Sequence, residues 1–209
     1  MTSEYRALVA KVEVFTRATS ERRAADLACS AGCSSCCQAW LSVSAVEADE
    51  LRRALARLSS EERNHIRTRA ERELTREASG ERAARCALLD EAGRCSVYEA
   101  RPLVCRTQGH ALRYPAGFIP RDAIKRRTAR GDVTWCPLNY GEKPPLAEDI
   151  LEAERVDEIL AVVARRHAST RGMALDHRLR LSVLAAEGDV LSDEPALARE
   201  SERTRSQIE

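Results

Sequence analysis

The sequence predicts a mainly α fold in which amphipathic helices hold an irregular, cysteine-rich core, with little β structure. Ala, Leu, Arg and Glu dominate the 209 residues, aromatic residues make up only 4%, and Gly and Pro are sparse. The abundant residues lose little entropy in a helix, whereas the usual strand formers are scarce. Apolar residues recur at helical spacing along much of the chain, and segments containing eight cysteines interrupt that pattern.

Helices are predicted along most of the chain outside the cysteine segments. The first covers residues 2–27, where apolar residues recur every three or four positions. Two capping boxes predict the starts of the next two helices: Ser44 with Glu47, and Ser59 with Glu62. A short helix is expected to begin at Arg101 and Pro102, because proline is favoured in a first turn.

The later part of the chain returns to the helical pattern after one stretch of strand-forming residues. Residues 132–136 favour a short strand. Residues 146–167 form an amphipathic pattern, and Asp176 is expected to cap a further helix. Four segments are therefore predicted: an N-terminal scaffold helix (1–28), a cysteine-cluster domain (29–140), C-terminal helices that pack on it (141–192) and a flexible tail (193–209).

Eight cysteines are the most informative residues. Four of them fall within nine residues, as CSAGCSSCC at positions 29–37. No signal-peptide pattern is visible at the N-terminus, so we expect a cytoplasmic protein whose thiols stay reduced. Clustered thiolates are the ligands of zinc and of iron–sulfur clusters. The predicted metal ligands are Cys29, Cys33, Cys36, Cys37, Cys86, Cys95, Cys105 and Cys136.

The metal and the number of sites stay open at this point. Eight thiolates exceed the four that a tetrahedral zinc accepts, so full occupancy means two four-coordinate sites or one polynuclear cluster. Neighbouring side chains usually diverge, so Cys36 and Cys37 are expected to serve different sites, or to divide between binding and packing. Cys33 and Cys36 also form the C-x2-C of a thiol redox pair, which makes a redox sensor an alternative.

Arginines and one histidine are candidates for supporting roles around the thiolates. Four thiolates around zinc, or around an oxidised four-iron cluster, leave a net charge of about −2, which nearby guanidinium groups would offset. Arg101 and Arg106 are the best placed in sequence, since they flank Cys105 closely. His110 lies five residues beyond Cys105 and is a candidate for an extra ligand.

The combined pattern resembles a known family. C-x3-C-x2-C-C, followed by C-x8-C-x2-Y-x2-R-P-x2-C-R, is similar to the YkgJ-like cysteine-cluster family, also called the CxxCxxCC zinc- or iron-chelating domain. The resemblance covers residues 29–140 and implies metal chelation by the cysteines. The matching positions are Cys29, Gly32, Cys33, Cys36, Cys37, Cys86, Cys95, Tyr98, Arg101, Pro102, Cys105, Arg106 and Cys136. Tyr98 is thereby expected to support the site together with Arg101 and Arg106.

Charge and motifs indicate few other functions. The 34 basic and 33 acidic residues nearly cancel, so no nucleic-acid partner is indicated. The longest uncharged run, residues 27–46, holds four cysteines and five serines and is not expected to span a membrane. The basic run 121–130 could meet a protein partner, which gives the alternative of a zinc-stapled interaction module. No His–Cys or Ser–His–Asp arrangement supports an enzyme, so any catalysis would come from the metal.

Overall fold

The computed structural model describes residues 2–118 and 125–187, and the statements below concern those residues. The fold there is mainly α, as predicted, with two small sheets. The helices are α1 (Ser3–Arg22), α2 (Ala45–Leu55), α3 (Ser60–Ala78), α4 (Leu103–Thr107), α5 (Ala153–Thr170) and α6 (Leu181–Glu187). The strands are β1 (Ser42–Ser44), β2 (Ala111–Tyr114), β3 (Lys125–Thr128), β4 (Gly131–Thr134), β5 (Ile150–Glu152) and β6 (Arg178–Arg180). The predicted tail at 193–209 and residues 121–124 of the basic run lie outside the described residues.

Apolar side chains, not thiols, form the core. One cluster joins α2, α3 and α6, a second packs α1 against α5, and a third, smaller one involves the sheet that contains β2. None of the eight cysteines is fully buried, although Cys86 and Cys95 pack against the first cluster. The expected cysteine-rich core is therefore not seen, because burial of apolar surface already supplies the hydrophobic stabilisation. The cysteines lie in a layer of loops at its edge.

The first helix is shorter than the sequence indicated. It was predicted over residues 2–27, but α1 ends at Arg22 and turns follow as far as residue 26. At this point Arg23 leaves the helical path, and its Nε lies 3.2 Å from Asp26 Oδ2 and 3.6 Å from Asp149 Oδ2. Asp149 is fully buried, so its charge requires these partners.

The capping signals located three helix starts correctly. Ser44 precedes α2 and Ser59 precedes α3, each with the expected glutamate three residues later. Pro102 precedes α4, so the short helix containing Cys105 also begins where proline indicated. None of the helices in the described residues is both long and apolar enough to cross a bilayer.

The four-stranded sheet has the strand order β3-β4-β2-β5. Its edge strand β5 occupies residues that were predicted to be helical. The strand expected over residues 132–136 is present as β4 and pairs antiparallel with β2. Residues 146–167 were predicted as one helix, but α5 begins only at Ala153. Ile150 and Leu151 instead pair in parallel with β2, so sheet pairing outweighs the helical spacing of the apolar residues.

The last helix also begins later than predicted. Asp176 was expected to cap it, but β6 intervenes and α6 begins at Leu181. Strand β6 pairs antiparallel with β1, with Leu179 opposite Val43. Arg178 reinforces the pairing, since its Nη2 donates to Ser42 O at 2.6 Å. This small sheet places α6 against α3 in the first core cluster.

A buried carboxylate, Glu47, links the start of α2 to the start of α4. Its Oε2 accepts hydrogen bonds from Ser44 N at 2.9 Å and Ser44 Oγ at 2.7 Å. Its Oε1 accepts from Leu103 N at 3.0 Å, and the side chain is only 3% exposed. Glu47 therefore fixes the position of the helix that contains Cys105.

Replacing Glu47 should test this link. We expect Glu47→Ala to lower the free energy of unfolding by about 2–3 kcal/mol, because three buried donors lose a charged acceptor. Glu62→Ala is the matched control: Glu62 makes the same two bonds to Ser59 on an exposed surface and no long-range bond. The control should cost about 0.5 kcal/mol. Urea denaturation measures the free energy of unfolding of both variants. Equal losses would contradict a stabilising role for the hydrogen bond from Leu103 N to Glu47.

Candidate metal centre

The predicted ligands lie on loops and on one short helix. Residues 29–37 contain only turns and irregular backbone between α1 and β1. Cys86 and Cys95 follow α3, Cys105 lies within α4, and Cys136 lies two residues beyond β4. Cys29, Cys33 and Cys36 are exposed, whereas the other five thiols are half-buried. The chain therefore presents these sulfur atoms near the surface.

The loop at 29–37 contacts the loop that joins Cys86 to Cys95. Cys86 N donates a hydrogen bond to Cys37 O at 2.8 Å. Farther along, a Cβ placed on Gly93 would lie 2.9 Å from Gly32 O, so the two backbones touch where only glycine fits. Two cysteine segments that are about fifty residues apart in sequence thus meet through their backbones.

Asn139 joins the remaining cysteine segments to this layer. Its Oδ1 accepts from Ala28 N at 2.9 Å, and its Nδ2 donates to Gly109 O at 2.8 Å. The same Nδ2 lies 3.3 Å from Cys29 Sγ. Its own N–H donates to Cys136 O at 2.9 Å. The side chain is 2% exposed, so one buried amide connects the segments around residues 28, 109 and 136.

A hairpin-like turn holds Cys86 and Cys95. Leu89 and Cys95 form an isolated β-bridge, and Ser96 N donates to Leu88 O at 2.8 Å. Burial raises the pKa of Cys86 to about 11 and also raises that of Cys95, and the backbone N–H groups of Leu88 and Val97 oppose this rise at the two thiols, respectively. Such N–H donors stabilise thiolates and are common around bound metals.

Charge on other cysteines is among the causes that shift the pKa values of Cys29 and Cys37. Burial raises the pKa of Cys29 most, and charge on three other cysteines raises it further: Cys33, Cys136 and Cys36. The hydrogen bond from Cys36 has the largest effect on the pKa of Cys37 and lowers it. Burial and charge on Cys86, Cys105 and Cys95 act in the opposite direction. We call Cys29, Cys33, Cys36 and Cys136 the outer group, and Cys37, Cys86, Cys95 and Cys105 the inner group.

Cys36 and Cys37 lie at the boundary between the groups. The interaction between the two thiols is the largest cause of both pKa shifts: it raises the pKa of Cys36 and lowers that of Cys37. Charge on Cys36 also acts on Cys105, whose pKa burial raises most. The outer and inner groups therefore adjoin at two consecutive residues.

The residues expected to support the thiolates differ in position. The guanidinium of Arg101 lies 3.4 Å from the centre of the Tyr98 ring. The interaction with Cys37 raises the pKa of Cys36, burial raises those of Cys95 and Cys105, and the charge of Arg101 opposes all three shifts. Arg106 is buried and donates to Arg101 O at 2.7 Å, to Glu99 O and to Glu13. It therefore holds the turn before α4, and Arg101 is the cation beside the thiols.

Two supporting residues were not predicted. Arg69, on α3, donates from Nε to Ala87 O at 3.0 Å, and its charge partly opposes the rise in the pKa of Cys86 that burial causes. Asn139 lies three residues after Cys136, and that proximity is the only sequence signal for it. Neither residue is part of the cysteine spacing pattern. Both contact groups that are distant in sequence, so that pattern does not indicate them.

His110 lies beside this layer. Burial lowers its pKa, and its buried Nδ1 has no hydrogen-bond partner in the described residues. The neutral imidazole suits a metal ligand chemically. In the arrangement described, however, His110 belongs to no group of ligands around one point.

The thiols are near each other but are not spaced as a finished metal site. Within residues 2–118 and 125–187, no three Cys, His, Asp or Glu side chains are grouped closely enough to hold a metal ion. Metal binding therefore requires the thiol side chains to move together. The donor set fits zinc or iron: soft sulfur ligands, N–H donors to sulfur and one adjacent guanidinium.

Comparison with known protein families identifies the cysteine-containing region. The sequence profile named CxxCxxCC, with the description "putative zinc- or iron-chelating domain", matches residues 28–137. The matched region contains all eight cysteines. Neither the curated proteins nor the solved structures contain a significant match.

Asn139 should be a strong determinant of stability. We expect Asn139→Ala to lower the free energy of unfolding by about 2–3 kcal/mol, since buried backbone groups at Ala28 and Gly109 lose their partners. Asn64→Ala is the control, because Asn64 only accepts from Arg67 on an exposed helix face and should change stability by less than about 0.5 kcal/mol. Urea denaturation of the metal-free proteins measures both, and equal effects would contradict this role for Asn139.

The metal-free protein should lose stability in alkali. Burial raises the pKa of Cys86 to about 11 and that of Cys105 to about 12, from 9.0. The folded state keeps protons that the unfolded chain releases, so this stabilisation is complete below about pH 9 and is lost as pH rises through 11–12. Each such thiol adds a slope of up to about 1.4 kcal/mol per pH unit. Urea denaturation between about pH 8 and 10 should give a shallower slope for Cys105→Ala, and an unchanged slope would contradict the assignment.

Proposed function

Because the chain belongs to the CxxCxxCC family of zinc- or iron-chelating domains, we propose that its eight cysteines bind zinc or iron as thiolates, four in the outer group and four in the inner group. The observation that carries this proposal is the meeting of four separate cysteine segments in one layer. The Cys86–Cys37 backbone bond and the contacts of Asn139 join these segments.

Eight thiolates are enough for two four-coordinate sites. A tetrahedral zinc or a four-iron cluster each uses four thiolates and leaves a charge of about −2. The charge of Arg101 opposes the rise in the pKa of Cys36, Cys95 and Cys105, and Asn139 Nδ2 lies 3.3 Å from Cys29 Sγ. When bound, an iron–sulfur cluster supplies electron transfer or sensing, and zinc supplies a structural clip.

The exposure of Cys29, Cys33 and Cys36 favours iron–sulfur chemistry for the outer group. A cluster that exchanges electrons requires partial access, whereas a purely structural zinc site closes all its positions. We therefore propose an iron–sulfur cluster as the first candidate for that group. The protein partner expected from the sequence remains a proposal.

A structural zinc clip is the second candidate, and the loops favour it. Residues 23–41 contain no helix or strand, and residues 79–97 contain only one isolated bridge. Loops of this length are uncommon in compact domains unless something else holds them. Metal–sulfur bonds between the two loops would supply that constraint.

Metal content and colour separate these candidates. The protein purified without oxygen should contain about two zinc ions per chain, or iron with inorganic sulfide, by elemental analysis. A brown sample that bleaches on reduction indicates the iron–sulfur form, and a colourless one with zinc indicates the clip. A folded protein with neither metal would contradict the proposal.

Removing the metal should also destabilise the fold. We expect chelation to lower the midpoint of thermal unfolding by about 10 °C, because a tightly bound metal stabilises only the folded state. Cys95→Ser should show a smaller shift on chelation, and Ser96→Ala, its immediate neighbour, should show the full shift. A shift that is identical in the two variants would argue against Cys95 as a ligand.

A further inference from the structure

We propose that the outer edge of strand β3 binds an acidic, extended segment of a partner protein, which joins the four-stranded sheet beside β3. This inference goes beyond the proposed metal binding and does not depend on it. It narrows the partner expected from the basic run 121–130 to one strand and one mode of binding. It is carried by the position of β3 in the sheet, by the contacts that hold β3, and by its charge.

Strand β3 lies at one end of the sheet. The strand order is β3-β4-β2-β5, so β3 pairs with β4 on one side and has no second neighbouring strand among the described residues. In an antiparallel pair, alternate residues of an edge strand direct their backbone N–H and C=O groups away from the sheet. These groups are a template on which another extended segment can pair.

The opposite edge of the sheet suits an acidic segment less well. Strand β5 has three residues, whereas β3 has four, so it presents fewer backbone groups. It also contains an acidic residue, Glu152, whose carboxylate already forms ion pairs with Arg113 and Arg130. An acidic segment therefore binds preferentially at β3.

Contacts to the rest of the sheet hold β3 in its extended conformation. Thr128 Oγ1 donates a hydrogen bond to Gly131 O at 2.7 Å and accepts one from Arg113 Nη1 at 2.7 Å. These bonds connect the end of β3 to both β4 and β2. Arg126 Nη2 donates to Pro145 O at 3.3 Å. Because the strand is already ordered, less conformational entropy is lost when a partner segment pairs with it.

The charge of β3 determines the kind of partner. Residues 125–130 have the sequence KRRTAR, with four basic residues and no acidic one. Opposite charges on paired strands attract, and like charges repel. A second copy of β3 would place basic residues opposite basic residues, so this edge disfavours pairing between two copies of the chain. An acidic segment has the complementary charge.

Binding of synthetic peptides tests the inference. The probe is a fluorescein-labelled peptide of about eight residues in which glutamate and valine alternate, and fluorescence anisotropy measures its affinity for the full-length protein. One control peptide has lysine in place of glutamate. The other has N-methyl groups on consecutive backbone nitrogens, which keep the charge and block both edges of the peptide. We expect each control to bind at least about tenfold more weakly.

Two variants with the same change in charge distinguish this edge from the rest of the surface. Arg126→Glu reverses a charge on β3, and Arg72→Glu reverses one on an exposed position of α3, which packs in a different core cluster from the sheet. We expect Arg126→Glu to weaken binding of the glutamate peptide by about tenfold. Arg72→Glu should weaken it by less than about twofold, because distant exposed charges are screened.

Hydrogen exchange of the unmutated protein covers the case in which Arg126→Glu does not fold. The glutamate peptide should slow amide exchange in residues 125–128 and should leave exchange in β6, another short basic strand, unchanged. Absence of binding, equal binding of the N-methylated peptide, full affinity in Arg126→Glu, or protection of a different segment would overturn the inference. Complete protection of residues 125–128 before the peptide is added would also overturn it, since the edge would already be covered. The binding assay requires no metal, so the proposed metal binding and this inference can fail separately.

Discussion

The buried amide of Asn139 is the interaction on which the arrangement of the cysteine layer most depends. It bonds to the backbone at Ala28 and Gly109 and to the sulfur of Cys29, so one side chain satisfies polar groups from distant segments. The next residue, Tyr140, is buried and its backbone has φ 65°. This left-handed conformation is energetically unfavourable for a residue with a bulky side chain. The surrounding core must hold the chain in that conformation, and the position of Asn139 follows from it.

The fold separates stability from chemistry. Apolar clusters between helices provide the hydrophobic stabilisation, and the thiols lie outside them on loops. The apolar clusters therefore do not depend on burial of the sulfur atoms, while Glu47 and the hairpin set where the inner thiols lie. The two arginines also have separate roles. Arg106 hydrogen-bonds to the turn before α4, whereas the charge of Arg101 acts on the thiols.

Local signals in the sequence predicted the local structure. Capping residues located α2, α3 and α4, and the cysteine spacing identified the family and the candidate ligands. Long-range contacts were not predictable in the same way. Ile150 and Leu151 have helical spacing but pair with β2, and at the end of α1 Arg23 forms ion pairs with Asp26 and Asp149. Asn139 acts 110 residues away from Cys29, and no periodicity encodes such a contact.

The contact between Gly109 and Cys29 restricts which residue can occupy position 109. Gly109 has φ 94°, and a Cβ there would lie 2.8 Å from Cys29 Sγ and 3.2 Å from Asn139 Nδ2. A larger residue would therefore displace a predicted ligand and the buried amide beside it. A residue without any side-chain chemistry thus decides how closely the segment after α4 can approach residue 29.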